Sequence, residues 1–169
     1  MNIVESSTKK EGFTLTHQFL REVGAVARCV QSLSDVTFKK LTLQRGQFVF
    51  LTRICETPGI HLLELSHLLK VDKATTTKAV QKLAAEGYVR KVQNAEDKRM
   101  YQLFPTVRAE KVYPELIAEE NRYLVCCFAG MTKEEQALAE TLLRRIRENI
   151  EDEWMVMKTG KGGASHENS

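Results

Sequence analysis

Residues 72–99 of this 169-residue chain concentrate side chains able to grip a polyanion and to read it. Lys73, Thr75, Thr77 and Lys78 combine cations with short hydroxylated groups, and Ala74, Gln81 and Lys82 follow at helical spacing. Arg90 and Lys91 lie further on, and Asp97-Lys98-Arg99 closes the series. Lysine and arginine neutralise phosphates and release counterions, while threonine, glutamine and lysine reach the hydrogen-bonding edges of bases. The chemistry on offer is recognition. Bond-making has no comparable support, because the chain lacks a Gly-rich phosphate loop and a Gly-x-Ser-x-Gly elbow, and Glu119-Glu120 reads as part of a charged helix face. No enzymatic activity is expected.

These side chains need elements to present them. Ile60–Lys70 places Leu62, Leu63, Leu65, Leu68 and Leu69 in a helical pattern, and Lys70-Val71-Asp72 forms a turn. Asp72 stands at an N-cap position, where its carboxylate can accept from the backbone N–H of Ala74 or Thr75. The second helix, Lys73–Glu86, sets Thr76, Ala79, Val80 and Leu83 inward and the cationic face outward, and Gly87 ends it as a residue that tolerates positive φ. Tyr88–Val92 and Met100–Phe104 read as two strands around a polar turn, Gln93–Arg99. A helix pair followed at once by a hairpin is a winged helix-turn-helix, in which the second helix enters the major groove of duplex DNA. Arg99 at the wing tip suits the minor groove, with Asp97 placed to hold its guanidinium.

Division of labour follows from position. Lys73, Thr75, Thr77 and Lys78 are the candidates for base edges. Lys82, Arg90, Lys91 and Lys98 suit phosphates, which position a protein without reading sequence. A Val at position 75 is expected to delete the hydroxyl without loss of stability.

The ordered set resembles the MarR family, the multiple-antibiotic-resistance-type transcriptional regulators, over about residues 13–155. The matching pieces are Arg45-Gly46-Gln47-Phe48 with Leu51, Pro58-Gly59-Ile60, Leu65-Ser66 and Leu68-Leu69-Lys70-Val71-Asp72. They continue through Thr75-Thr76-Thr77-Lys78, Leu83, Glu86-Gly87-Tyr88-Val89 and Asp97-Lys98-Arg99. Three departures stand out: His61 at the cap of the first helix where Ser or Thr is usual, Phe104-Pro105-Thr106 in place of Leu-Thr, and Ala109 where Gly often stands. The resemblance implies a homodimer whose terminal helices interlock, a pseudo-palindromic operator, and action as a ligand-responsive repressor. It also implies a small aromatic or phenolic effector between the dimer helices and the winged lobe, where Arg28, Phe48 and Tyr113 could contribute. Some members sense peroxide through a cysteine near the start of the first helix, whereas Cys29 falls near its middle.

The flanking segments fit that plan. Thr14–Lys39 carries Leu15, Phe19, Leu20, Val23, Val26, Ala27, Val30 and Leu33 along one stripe, and Thr42 can cap a helix through Phe48, Leu51, Ile54 and Cys55. A helix from about Thr106 to Phe128 contains Pro114, which should bend it. Thr132-Lys133-Glu134-Glu135 is a capping-box pattern that opens a last helix to about Trp154. The fold expected is mainly α: a winged helix-turn-helix with long N- and C-terminal dimerisation helices. Its segments are a tail at 1–12, a dimerisation helix at 13–40, the DNA-binding lobe at 41–105, dimerisation helices at 106–157 and a tail at 158–169.

Composition sets further bounds. The net charge of +3 is unevenly spread. Lys70 to Arg99 holds eight basic against four acidic residues, a net of +4, and Glu110 to Glu153 holds six against eleven, a net of −5. The basic stretch suits DNA and the acidic one belongs away from it. Cys29, Cys55, Cys126 and Cys127 lack CxxC spacing and His17, His61, His67 and His166 are scattered, so neither a metal nor a cofactor is expected. No apolar run reaches the ~20 residues of a membrane span, no signal peptide is evident, and a cytoplasmic location is expected. Two alternatives stay open: a winged-helix adaptor that docks proteins without specific DNA binding, and a regulator that senses redox state through a cysteine.

Overall fold

The computed structural model describes residues 17–43, 46–94 and 100–159. Its elements are α1 (Phe19–Thr37), a 3-10 turn (Phe38–Leu41), α2 (Gln47–Glu56), β1 (Ile60–His61), α3 (Leu62–Leu69), α4 (Lys73–Ala85), β2 (Val89–Gln93), β3 (Tyr101–Pro105), α5 (Val107–Cys127) and α6 (Lys133–Thr159). The fold is mainly helical with one small antiparallel sheet, ordered β1-β3-β2. Two compact units divide within α5, the first reaching Glu120 and the second starting at Asn121.

The core of the first unit gathers one face from each element. α2 supplies Phe48, Leu51 and Ile54, α3 supplies Leu65, α4 supplies Val80 and Leu83, and the sheet supplies Ile60, Val89 and Leu103. Phe38, from the 3-10 turn, packs its ring against Phe48 with centroids 5.3 Å apart. Ala109 and Leu116 enter from α5, both fully buried, so the methyl group that replaces the usual Gly at 109 lies in the core.

Several local expectations need correction. The α-helical part of the first helix stops at Thr37, two residues short of the boundary read from the sequence, and continues as a 3-10 turn. Thr42 does not cap α2: it takes a left-handed conformation (φ 60°), and Gly46 (φ 72°) is the N-cap. The Thr42 hydroxyl instead has Leu41 O (2.6 Å) and Glu86 Oε2 (3.0 Å) within reach of its single proton. Ile60, expected within a helix, and His61, expected at its cap, form the third strand by pairing with Leu103 and Gln102. α3 therefore starts at Leu62 with His61 as its N-cap, and the Glu64 carboxylate accepts from the His61 backbone N–H at 2.9 Å. The wing strands lie one residue later than expected, with Pro105 ending β3 opposite Val89. Pro has no N–H to continue the ladder, and α5 begins two residues later, at Val107. Pro114 lies inside α5, which runs on through it.

Both ends of α4 are closed. At its start Asp72 accepts from the Thr75 backbone N–H through Oδ1 (2.8 Å) and from the Thr75 hydroxyl through Oδ2 (2.7 Å). At its end the Tyr88 N–H donates to Leu83 O (2.9 Å) and the Gly87 N–H to Ala84 O (3.0 Å). This is a Schellman closure, and it needs the left-handed backbone that Gly87 supplies at φ 74°.

In the second unit the reciprocal capping box at Thr132 forms as expected: Glu135 N–H donates to Thr132 Oγ1 (3.2 Å) and Thr132 N–H to Glu135 Oε2 (2.8 Å). α6 extends to Thr159, beyond the boundary read from the sequence. Its apolar residues Leu138, Leu142, Leu143 and Ile150 are all exposed in the single chain.

Asp72→Ala removes both cap bonds at the start of α4 and is expected to lower stability by about 1 kcal/mol in chemical denaturation. An unchanged midpoint would show that the cap contributes nothing to the helix.

Candidate nucleic-acid interface

Thr76, Val80 and Leu83 are buried, and their burial fixes the rotation of α4 about its own axis. With 3.6 residues per turn, Ala74, Lys78, Gln81 and Ala85 fall within an arc of roughly 60° opposite that buried side. All four are exposed. Thr75 and Lys82 flank this band on one side, Lys73 and Thr77 on the other. The outermost side chains therefore include Lys78 and Gln81, with Ala74 low enough for close approach of the backbone.

The threonine hydroxyls have local commitments. Thr75 Oγ1 donates to Asp72, and Thr77 Oγ1 donates back to Lys73 O (2.7 Å). Each oxygen keeps acceptor capacity, but its proton is held within the helix. Thr75→Val would remove the hydroxyl bond to Asp72 and keep the backbone one, so some loss of stability is to be expected, unlike in the reading from the sequence.

Strand alternation separates the two basic residues of β2. Lys91 pairs with the buried Leu103, on the side of the sheet that meets the helices, whereas Arg90 pairs with Phe104 on the other side. The Arg90 guanidinium sits 4.6 Å from the Phe104 ring centroid, a cation–π contact. Phe104, one of the departures noted above, thus holds Arg90 against the sheet. The hairpin leads into the wing tip: the Asn94 N–H donates to Met100 O at 2.9 Å. Asp97, Lys98 and Arg99 lie outside the described residues.

Lys73, Thr77 and Lys91 meet at a crevice of about 320 Å³ between the start of α4 and the sheet. Leu62, Leu63, Met100, Tyr101 and Leu103 give it an apolar lining, and His61 completes it. His61 Nδ1 lies 3.3 Å from Tyr101 O, a tie between the cap of α3 and β3 that the sequence alone did not reveal.

The three residues suggested for an effector lie on three different helices. Phe48 is buried in the core, Arg28 is exposed on α1, and Tyr113 on α5 is half-buried with its hydroxyl 3.4 Å from Glu56 Oε1. Burial, with Glu56 alongside, raises the Tyr113 phenol above its ordinary range. Glu120 is likewise raised, chiefly by burial, and Glu56 adds to the effect while Arg53 opposes it. Burial pushes the Cys55 thiol up to about 11, helped by Glu110 and Glu56, so near neutral pH it stays protonated and weakly nucleophilic. Among the described residues no cluster of His, Cys, Asp and Glu could hold a metal ion, and no helix is long and apolar enough to cross a membrane.

Comparison with known proteins agrees with this geometry. The sequence model of the MarR family matches residues 43–101, from just after the 3-10 turn to the first residue of β3. The uncharacterized HTH-type transcriptional regulator YybA of Bacillus subtilis is 40% identical over 144 residues, which span 85% of this chain and 96% of the relative. A MarR protein from Peptoclostridium difficile superposes with a TM-score of 0.84 at 52% identity, covering 86% of this chain and 95% of that one. A MarR-family regulator from Listeria monocytogenes, complexed with a 26mer DNA, superposes with a TM-score of 0.82 at 36% identity and covers 88% and 97%. By sequence, by fold and by near-complete coverage of its relatives, the chain belongs to the MarR family of winged-helix transcriptional regulators.

Proposed function

We propose that this protein binds duplex DNA as a homodimer and acts as a repressor, with α4 in the major groove and the wing tip in the minor groove. The outward band of α4 carries the proposal: a capped helix, rotationally fixed by its buried side, presents Ala74, Lys78 and Gln81 outermost. Lys73, Thr77 and Lys91 line one flank and Thr75 and Lys82 the other. Arg99 is assigned to the minor groove, steadied by Asp97, and Lys98 to a phosphate. Arg90, held on Phe104, is assigned a phosphate beside the wing and no part in base readout. The DNA-bound Listeria relative supports the partner.

Exposed apolar side chains support the dimer. Phe19, Leu20, Val23 and Val26 on α1 and Leu138, Leu142 and Ile150 on α6 all face solvent in the single chain. A second copy that covered them would remove a large apolar area from water. The segment plan of a central DNA-binding lobe between dimerisation helices rests on the same exposure.

Ligand response has a separate observation in its favour. The crevice between α4 and the sheet combines an apolar lining with Lys73 and Lys91, a match for a small aromatic anion. Such a molecule would compete with DNA for Lys73 and Thr77. The adaptor reading has no comparable observation, because the outer face of α4 is cationic. A redox reading would have to use the exposed Cys29, Cys126 or Cys127, since the Cys55 thiol is held protonated.

Lys82→Ala is expected to weaken specific and random DNA about equally and to reduce the log–log salt slope by about one, as for a phosphate contact. Lys78→Ala should instead lower the ratio of specific to random binding, at a cost of about 1–3 kcal/mol. Anisotropy titrations across a salt series separate the two; exchanged outcomes would mean that α4 is rotated in the groove. Arg99→Ala should cost about 1–3 kcal/mol and relax A·T preference beside the half-sites, measured on operators with altered flanks. Wild-type affinity and flank preference would remove the wing from the interface. Leu142→Glu should shift the chain from dimer to protomer in sedimentation velocity, and a parent chain that sediments as a single protomer would contradict the dimer.

A further inference from the structure

The C-terminal end of α4 is tied to two other elements of the first unit, and the side chain at the centre of that joint has no place in the DNA contacts above. After the Schellman closure, the carbonyls of Glu86 and Gly87 still need donors. Arg108, in the first turn of α5, donates from Nη1 to Glu86 O at 2.5 Å. Thr106, just before α5, donates from its hydroxyl to Gly87 O at 2.7 Å. The Arg108 guanidinium also stacks on Tyr88, with Cζ 4.3 Å from the ring centroid, and Nη2 lies 3.3 Å from the Tyr88 hydroxyl. That hydroxyl donates to Leu41 O at 2.8 Å, in the 3-10 turn that follows α1. Thr42, the residue after that turn, donates to the Glu86 carboxylate.

We propose that Arg108 is a positioning residue for DNA recognition, setting the angle at which α4 leaves the protein body by clamping its C-terminal end between α5 and the turn after α1. Three properties suit it to the task. Its positive charge meets the negative end of the helix dipole. Its planar fork bonds a carbonyl and stacks on a ring at once, which a lysine ammonium cannot do. Its partners are rigid: Tyr88 is fully buried, and Glu86 and Gly87 belong to the helix closure. A helix pinned at its far end presents its N-terminal side chains to the groove at one angle. Base readout depends on that angle far more than phosphate attraction does, because hydrogen bonds to base edges are directional. The inference rests on the proposed DNA binding and adds a residue that need not touch DNA.

The test uses the full chain, a duplex selected by the wild-type protein from a random pool, and a scrambled duplex of equal length. Affinities are measured across a salt series, with melting temperature recorded for each variant. Arg108→Ala is expected to lower the ratio of specific to random binding by roughly tenfold, the size of one lost charge-assisted hydrogen bond. Random-DNA affinity and the salt slope should stay at wild-type values. Arg108→Lys, which keeps the charge and the aliphatic stem, guards against a folding defect in the alanine variant and should restore the ratio only in part. A purely structural role would lower the melting temperature and leave the ratio intact in the folded protein, which would overturn the proposal. A salt slope reduced by about one in Arg108→Ala would also overturn it, by making Arg108 a phosphate contact. If the wild-type chain selects no duplex from the pool, the DNA-binding reading itself fails, whatever Arg108 does.

Discussion

Everything proposed for this protein depends on how α4 is seated. Thr76, Val80 and Leu83 are withdrawn from water. Turning the helix by one residue, about 100°, would swing all three away from the core and, in one sense of rotation, bring Lys82 toward it. Burial of a Val or Leu side chain is worth about 1.5–3 kcal/mol, and an unpaired buried ammonium is costlier still. The rotation of the helix is therefore fixed by apolar packing, and the outward band of Ala74, Lys78 and Gln81 follows from it. The proposed recognition is a by-product of core geometry: the same three buried residues that help stabilise the lobe decide which side chains a groove would meet.

The ends of the helix add a second level of control. Asp72 at one end and the Schellman closure with Gly87 at the other stop α4 from fraying, so its side chains keep their register to the last turn. The sheet adds a third. Because strand residues alternate faces, Lys91 joins Lys73 and Thr77 at the crevice while Arg90 stacks on Phe104 on the opposite side. Charge in this region is not a uniform basic patch: each cation has a direction set by its backbone.

Legibility in the sequence tracked the range of the interactions involved. The caps at Asp72 and Thr132 and the left-handed Gly87 depend on residues a few positions apart, and all three were readable. β1 was not: it is two residues long and exists only through pairing with β3, some forty positions later. Thr42 misled because it takes a left-handed conformation and turns toward Glu86, which leaves Gly46 as the cap. The opposed directions of Arg90 and Lys91 were available from the period of two along a strand, but grouping them by charge obscured it. Arg108 carried no local signal, since its partners lie about twenty positions earlier and meet it only in the fold. Among the effector candidates, Phe48 was indistinguishable from an ordinary core aromatic, and the fold places it in the core.

The central claim is that two copies of α4, fixed in this rotation, read successive major grooves on one face of the duplex. Hydroxyl-radical footprinting of the full chain on its selected duplex tests it most directly. The account predicts two protected windows separated by about one helical turn, roughly 10–10.5 base pairs, related by the pseudo-dyad of the site. A single protected window, or uniform protection without periodicity, would contradict it.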